Sequence, residues 1–493
     1  MINRGHISST IFSLRGMFLI IFFFVFASIS LVNHYNFRTY SLDLGIYNNA
    51  LYDFSHFRAN DYSIMDHMFR NILSDHFSLI PFLVSPLYWI FDSYTMLIFQ
   101  IFIILFGSYG IYKIVKLKSE TKYIPELAML HFLGIWGIYS ALSFDYHDNV
   151  VAAMLLPWFF YFLQLNQWKK AIAFFILILI AKENMAFWCF FICIGSAIHY
   201  YKDKVRFKRL LLLAVISVSY FWLVVNHIMP FFRETAKDTY LHFNFDVLGS
   251  NFKEAIVTVV NSPLKCLRLL FVSPFPDADT LKIKEELHFM VLVSGGYALL
   301  FRPYYLIMLI PIYAQKLWNN DFTKWGINNQ YSIEFVPVLT LSLFTLICTI
   351  ERKNIAYLFA AAAIILTFSY TFVKLEHRVS LWYNPEQSQF YSKAHYVTPY
   401  NVKEVYRVLK LIPEDARVSA SPNVVPHLCN RETIYGFPKV NDANYVLILN
   451  YYESAYPLSM EELREQIRFY SNSPDWSIVY NNHGIGLFKK VRG

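Results

Sequence analysis

The sequence predicts an α-helical polytopic membrane protein of about eleven spans, followed by a small α/β domain outside the cytoplasm. Three observations carry this. Of the 493 residues 56% are hydrophobic and only 16% charged, whereas soluble domains are roughly 25% charged. Apolar segments recur along most of the chain, and several reach about 18 residues, enough to cross hydrocarbon. The basic residues gather in short loops between these segments, the positive-inside pattern. The formal charge of +8 therefore reads as topology rather than as an affinity for nucleic acid.

Arg4 and Arg15 flank the entry to an apolar stretch over 17–32. It resembles a signal peptide, but its small residues make a poor cleavage site and many spans follow. It reads as an uncut anchor with a cytoplasmic N-terminus. The loop 35–77 is long and acidic, with Asp43, Asp53, Asp61, Asp66 and Asp75. Inside it Leu44, Tyr47, Leu51 and Phe54 recur at helical spacing, which predicts a helix along the membrane surface capped by Ser41. Pro81 and Pro86 break 78–91 into a half-helix.

The spans then alternate. Residues 94–115 run inward to Lys113, Lys116, Lys118 and Lys122, and 123–142 return to the turn Phe144-Asp145-Tyr146-His147-Asp148-Asn149. Residues 150–166 lead in to Lys169 and Lys170, and 171–181 lead out to Lys182-Glu183-Asn184. Residues 185–200 come back to Lys202, Lys204, Arg206, Lys208 and Arg209. After 210–229 a second long outer loop, 230–284, contains Pro263, Pro274 and Pro276. Further spans fall near 286–301, 303–317, 332–350 and 355–373, with Arg302 an inner-face anchor.

This parity divides the chain into a transmembrane domain, 1–375, and an extracytoplasmic α/β domain, 376–493. In the tail Val402, Val405, Leu409 and Ile412 share a helix face, and Ser459-Met460-Glu461-Glu462 is a capping box. Residues 445–449 and 476–480 read as strands, with a turn at Gly484-Ile485-Gly486. The five cysteines lack metal-ligand spacing, and Cys429 alone lies in the tail, which excludes a disulfide within it.

Parity also gathers three charged elements at one membrane face. Lys182 and Glu183 lie inside an apolar run over 171–198, where each costs on the order of 2.5–3.5 kcal/mol unless it faces protein, water or the interface. The pair is either an exposed inter-helix turn or a phosphate-binding ammonium with its partner. Asp43 sits among apolar neighbours that raise its pKa; it is either a base for an acceptor hydroxyl or a helix-terminal acid. His76, after Asp75, can bind phosphate or metal, or belong to a helix cap. Asp145 and His147 offer two ligands for a divalent cation, the candidate cofactor, or simply fill a polar turn. Tyr331 reads as an interfacial aromatic or a further substrate contact, and His427 is a lone tail candidate. No Walker motif, dinucleotide fingerprint or zincin helix is present.

Four segments in this order resemble a known family: Leu42-Asp43-Leu44-Gly45-Ile46-Tyr47, Asp75-His76-Phe77-Ser78 with Pro86-Leu87-Tyr88 after it, Phe144-Asp145-Tyr146-His147, and Ala181-Lys182-Glu183-Asn184. Gln330-Tyr331-Ser332 and Ile412-Pro413-Glu414-Asp415-Ala416 add weaker matches. The family is the bacterial membrane-protein family called domain of unknown function 2079, which is similar in turn to the glycosyltransferase C (GT-C) fold of polyprenyl-phosphate-sugar-dependent transferases. The resemblance implies that Asp43 is the catalytic base and that Asp145 helps bind metal or substrate. Asn184 stands where the family pattern has an acid, and Asp148 where it has a proline.

The reading is an inverting glycosyltransferase in the bacterial plasma membrane. It would take a polyprenyl-phosphate-linked sugar to a cell-envelope glycan, lipid or protein. Asp43 is the base, Lys182, Glu183, His76 and Tyr331 contact substrate and phosphate, and Asp145 and His147 hold a metal. The alternatives are a transporter or flippase of a lipid-linked or small polar substrate, and an assembly protein with the tail as its binding module.

Overall fold

The computed structural model describes residues 13–61, 63–64, 71–233, 240, 242–274, 278–376, 385–450 and 455–491. Arg4, Asp66 and Pro276 lie outside them. Among the described residues four helices are long and apolar enough to cross a membrane, over Leu14–Tyr35, Ile80–Lys118, Lys204–Phe231 and Lys353–Glu376. The other apolar helices are shorter or broken, for reasons visible in the sequence. Ile135 leaves helical geometry between Ile124–Gly134 and Trp136–Leu142. Pro157 and Pro311 sit inside Asp148–Gln164 and Pro303–Leu317, each removing one backbone donor. The expected half-helix is a chain of short turns, Ile80–Val84, Ser85–Leu87 and Tyr88–Phe91, leading into Thr95–Lys118.

The helices pack through small residues. A Cβ on Gly107 would lie 2.9 Å from the Met154 carbonyl oxygen, so glycine lets Thr95–Lys118 close on Asp148–Gln164. Glu183–His199 lies between Lys204–Leu223 and Pro303–Leu317. Phe24, Phe102, Leu212, Leu358 and Ile365 are left exposed as an apolar belt. Lys116 and Lys118 end one helix, while Lys204 and Arg206 begin another just after the end of Glu183–His199.

The tail carries a five-stranded mixed sheet: β1 (Val418–Ala420), β2 (Ile434–Gly436), β3 (Tyr445–Leu449), β4 (Trp476–Asn482) and β5 (Ile485–Lys490), in the order β2-β1-β3-β5-β4. β2, β1 and β3 run parallel, and β4 and β5 form an antiparallel hairpin. Strand alternation divides β3. Val446 and Ile448 pack with Leu463 and Tyr470 of the helix Met460–Asn472, while Leu447 and Leu449 join the main core. Ser459 and Glu462 form the expected capping box. His483 and Gly484, both at positive φ, make the hairpin turn, so Ile485 and Gly486 belong to β5.

The first long loop differs from expectation. Ser41–Gly45 is a π-turn whose N-cap is Tyr40, without a side-chain cap, and the α-helix runs Ile46–Ser55. Nor does that helix lie open on a membrane surface: Asn48, Asn49 and Asp53 are buried beneath the tail. Asn48 Nδ2 donates to the Pro426 carbonyl at 3.0 Å and Cys429 Sγ to the Gly45 carbonyl at 3.2 Å. A Cβ on Gly45 would press on Val425 Cγ1 at 3.1 Å. Arg38 adds bonds to the His395 and Val397 carbonyls, and His34 stacks on His427 with centroids 3.9 Å apart. His427 is thus a joint between the tail and the first helix. Hydrophobic spacing reports a buried face, but not whether lipid or protein covers it.

Candidate functional site

Asp43 lies in the middle of the π-turn, a geometry common at functional sites. The backbone around it is pinned from the second loop: Tyr40 N–H donates to Asp145 Oδ2 at 2.8 Å. Asp145 has φ +59°, a left-handed conformation that Asp tolerates better than most residues. Gln100, fully buried in Thr95–Lys118, holds that turn on both sides. Its Nε2 donates to the Asp145 carbonyl at 2.8 Å, and its Oε1 accepts from His147 N–H at 3.0 Å. Asp148 opens the next helix with both oxygens occupied, by Tyr47 OH at 2.8 Å and Tyr146 OH at 2.7 Å. Asn149 ties the turn to Gln330 and Glu334, ahead of Phe335–Ile347.

The Asp43 carboxylate itself receives no hydrogen bond among the described residues. His147 Nε2 stands 3.9 Å from its Oδ1, and its side chain remains 23% exposed. Burial pushes Asp43 up to about 7; the Lys182 ammonium works against this rise, and Asp75 adds to it. Asp145 is raised well above the usual carboxylate range, first by burial and then by Asp43. His147 is held down to about 3 by burial and by Lys182, so it is neutral.

A second cluster faces the same lysine. Lys182 is the N-cap residue of Glu183–His199, and Glu183 is its first residue, fully buried. Glu183 accepts from His76 Nδ1 at 3.1 Å, Phe77 N–H at 3.1 Å and Tyr240 OH at 2.6 Å. His242 stacks on His76, with centroids 4.1 Å apart, and its Nε2 reaches Asp75 Oδ1 at 3.0 Å. Burial, Lys182 and His242 lower the His76 pKa, against Glu183 and Asp75. Lys182 is half-buried, and its ammonium makes no hydrogen bond among the described residues. Tyr331 is within electrostatic reach of Asp43, and Lys324 stands over its ring at 5.7 Å. Asn184 reaches Gln315.

Asp43, Asp145, His147, His76, Lys182, Glu183 and Tyr331 thus converge, linked by hydrogen bonds or by direct electrostatic influence. Both residues of the expected metal pair are engaged by the backbone. Asp145 Oδ2 is taken by Tyr40 N–H, and His147 Nε2 donates to the Phe144 carbonyl at 2.8 Å. The described metal-capable trio is Asp75, His76 and His242. Sequence reasoning missed Gln100, Tyr240, His242, Glu334 and Lys324. Gln100 alone left a local signal, a buried amide within an apolar helix. A separate pocket, lined by Lys118, His199 and Tyr304, lies at the opposite helix ends and contains none of these groups.

A helical membrane body, a small covering sheet and charged residues gathered at one set of helix ends define a polytopic membrane protein. Among solved structures the chain is similar to the arabinofuranosyltransferase AftD from Mycobacteria, with a TM-score of 0.51 at 11% identity, over 97% of this chain and 40% of that one. It therefore spans well under half of that protein's length. A comparison with curated proteins gave no match. The chain belongs to the family described as "Predicted membrane protein (DUF2079)", which matches residues 33–487.

Proposed function

We propose that the chain is an integral-membrane glycosyltransferase that moves a sugar from a polyprenyl-phosphate donor to an acceptor hydroxyl. One observation carries the reading. A half-buried carboxylate, Asp43, is pushed up to about 7, is bare of hydrogen-bond donors among the described residues, and feels the Lys182 ammonium. A general base works best with its pKa near the ambient pH. The acceptor proton goes to Asp43 as the acceptor oxygen attacks the anomeric carbon. The bond to the phosphate oxygen breaks on the opposite face, so the centre inverts. The departing phosphate needs no acid, and Lys182 neutralises its charge. Asp145 and His147 shape the wall beside the base, and Tyr331 lines the approach.

In this reading about eleven crossings set the tail and the site on the extracytoplasmic face of a bacterial plasma membrane. A lipid-held donor is available there, and the acceptor is a cell-envelope glycan, lipid or protein. The name of the similar AftD fold supports sugar transfer and leaves this chain's sugar open. The named groups stand at helix ends, as an interfacial transferase needs, whereas transporter sites lie near the bilayer midplane. In reconstituted vesicles supplied with polyprenyl-phosphate sugars, Asp43→Asn should abolish transfer while melting is unchanged. Full activity in that variant rules the reading out.

A further inference from the structure

Ligand atoms of Asp75, His76 and His242 all lie within 4.8 Å of one another. His242 Nε2 stands 2.9 Å from the Asp75 carbonyl oxygen and 3.0 Å from its Oδ1. Cis ligands on an ion with bonds of about 2.1 Å are themselves about 3.0 Å apart, so a cation replacing the proton shared by Asp75 and His242 finds this spacing ready, and His76 joins it on turning its ring out of the stack on His242. His76 is oriented from behind. The Glu183 carboxylate accepts its Nδ1–H, which leaves the Nε2 lone pair for an ion. Phe77 N–H and Tyr240 OH lock Glu183 in turn, the outer support that ligating histidines ordinarily have. All three donor residues are half-buried, so an ion can enter.

We propose that Asp75, His76 and His242 bind a divalent first-row transition-metal ion. Two imidazoles with a carboxylate suit manganese, iron, cobalt, nickel or zinc better than calcium or magnesium. The trio leaves coordination positions open. Lys182 bears electrostatically on His76, and Asp75 on Asp43, so the ion stands beside the proposed catalytic groups. Its task there, taking an oxygen of the donor phosphate alongside Lys182, rests on the transferase reading; its binding does not.

The test is a Co2+ titration of the chelator-treated full chain in detergent, read by its ligand-field absorption, with no donor present. One saturable equivalent is expected. His76→Ala and His242→Ala should lose it, and Glu183→Gln should bind about 10- to 100-fold more weakly. Asp43→Asn should keep it, which separates loss of metal from loss of transfer. X-ray absorption at the cobalt edge of the unaltered chain should show two imidazoles, a readout that holds if a variant fails to fold. Absence of saturable binding, or an oxygen-only shell, overturns the proposal.

Discussion

Glu183 and Asp43 both face Lys182, yet they are held in opposite ways. Glu183 is fully buried and accepts from an imidazole, a backbone amide and a phenol. Asp43 has no hydrogen-bond donor among the described residues and keeps an opening to solvent. A saturated carboxylate fixes its neighbours in place and is costly to remove, because each donor is left unmet. An unsaturated one, raised by burial, is ready to take a proton. The contrast separates a structural acid from a reactive one within a single cluster.

Removing each acid should therefore fail in a different assay. Asp43→Asn should lower the rate of transfer by about 10²- to 10⁴-fold and leave the melting temperature in place. Glu183→Ala should cost about 3–5 kcal/mol of stability, read by thermal melting, since one buried and two half-buried donors lose their acceptor. Equal destabilisation by Asp43→Ala and Glu183→Ala would erase the distinction.

Lys182 sharpens the comparison through pH. The active base is the carboxylate, so kcat/KM should rise with pH through about 7 as Asp43 loses its proton. The Lys182 charge favours that carboxylate. Lys182→Met should raise the Asp43 pKa and move the rising limb to higher pH, besides weakening donor binding. A limb that stays in place would detach the lysine from the base.

Gln100 probes the scaffold alone. Gln100→Leu strands the Asp145 carbonyl and the His147 amide, which should cost about 2 kcal/mol in melting. Transfer by the molecules that remain folded should drop less than in Asp43→Asn.

Much of this arrangement was legible in the sequence. Loop parity and basic clusters assigned the Asp43, Asp145 and Lys182 elements to one face, because charge and span length are local properties. The capping box at Ser459 and strand β3 were readable for the same reason. Tyr240 and His242 were not, since they meet Glu183 and Asp75 across 57 and 167 residues of chain. β1 and β2, three residues each, are too short to show an alternating pattern. The helix after Asp43 was read as lying along the membrane surface, whereas Val425, Pro426 and Cys429 of the tail cover it at Gly45 and Asn48, and its apolar Tyr47 and Phe54 meet Tyr146 and Phe82.

The most direct test of a shared Asp43–Lys182 site is a cryo-EM structure of the full chain in a lipid nanodisc with undecaprenyl phosphate. The phosphate should lie against Lys182 Nζ, with room for one sugar between it and Asp43. Phosphate density at the opposite helix ends, by Lys118 and His199, would contradict the assignment.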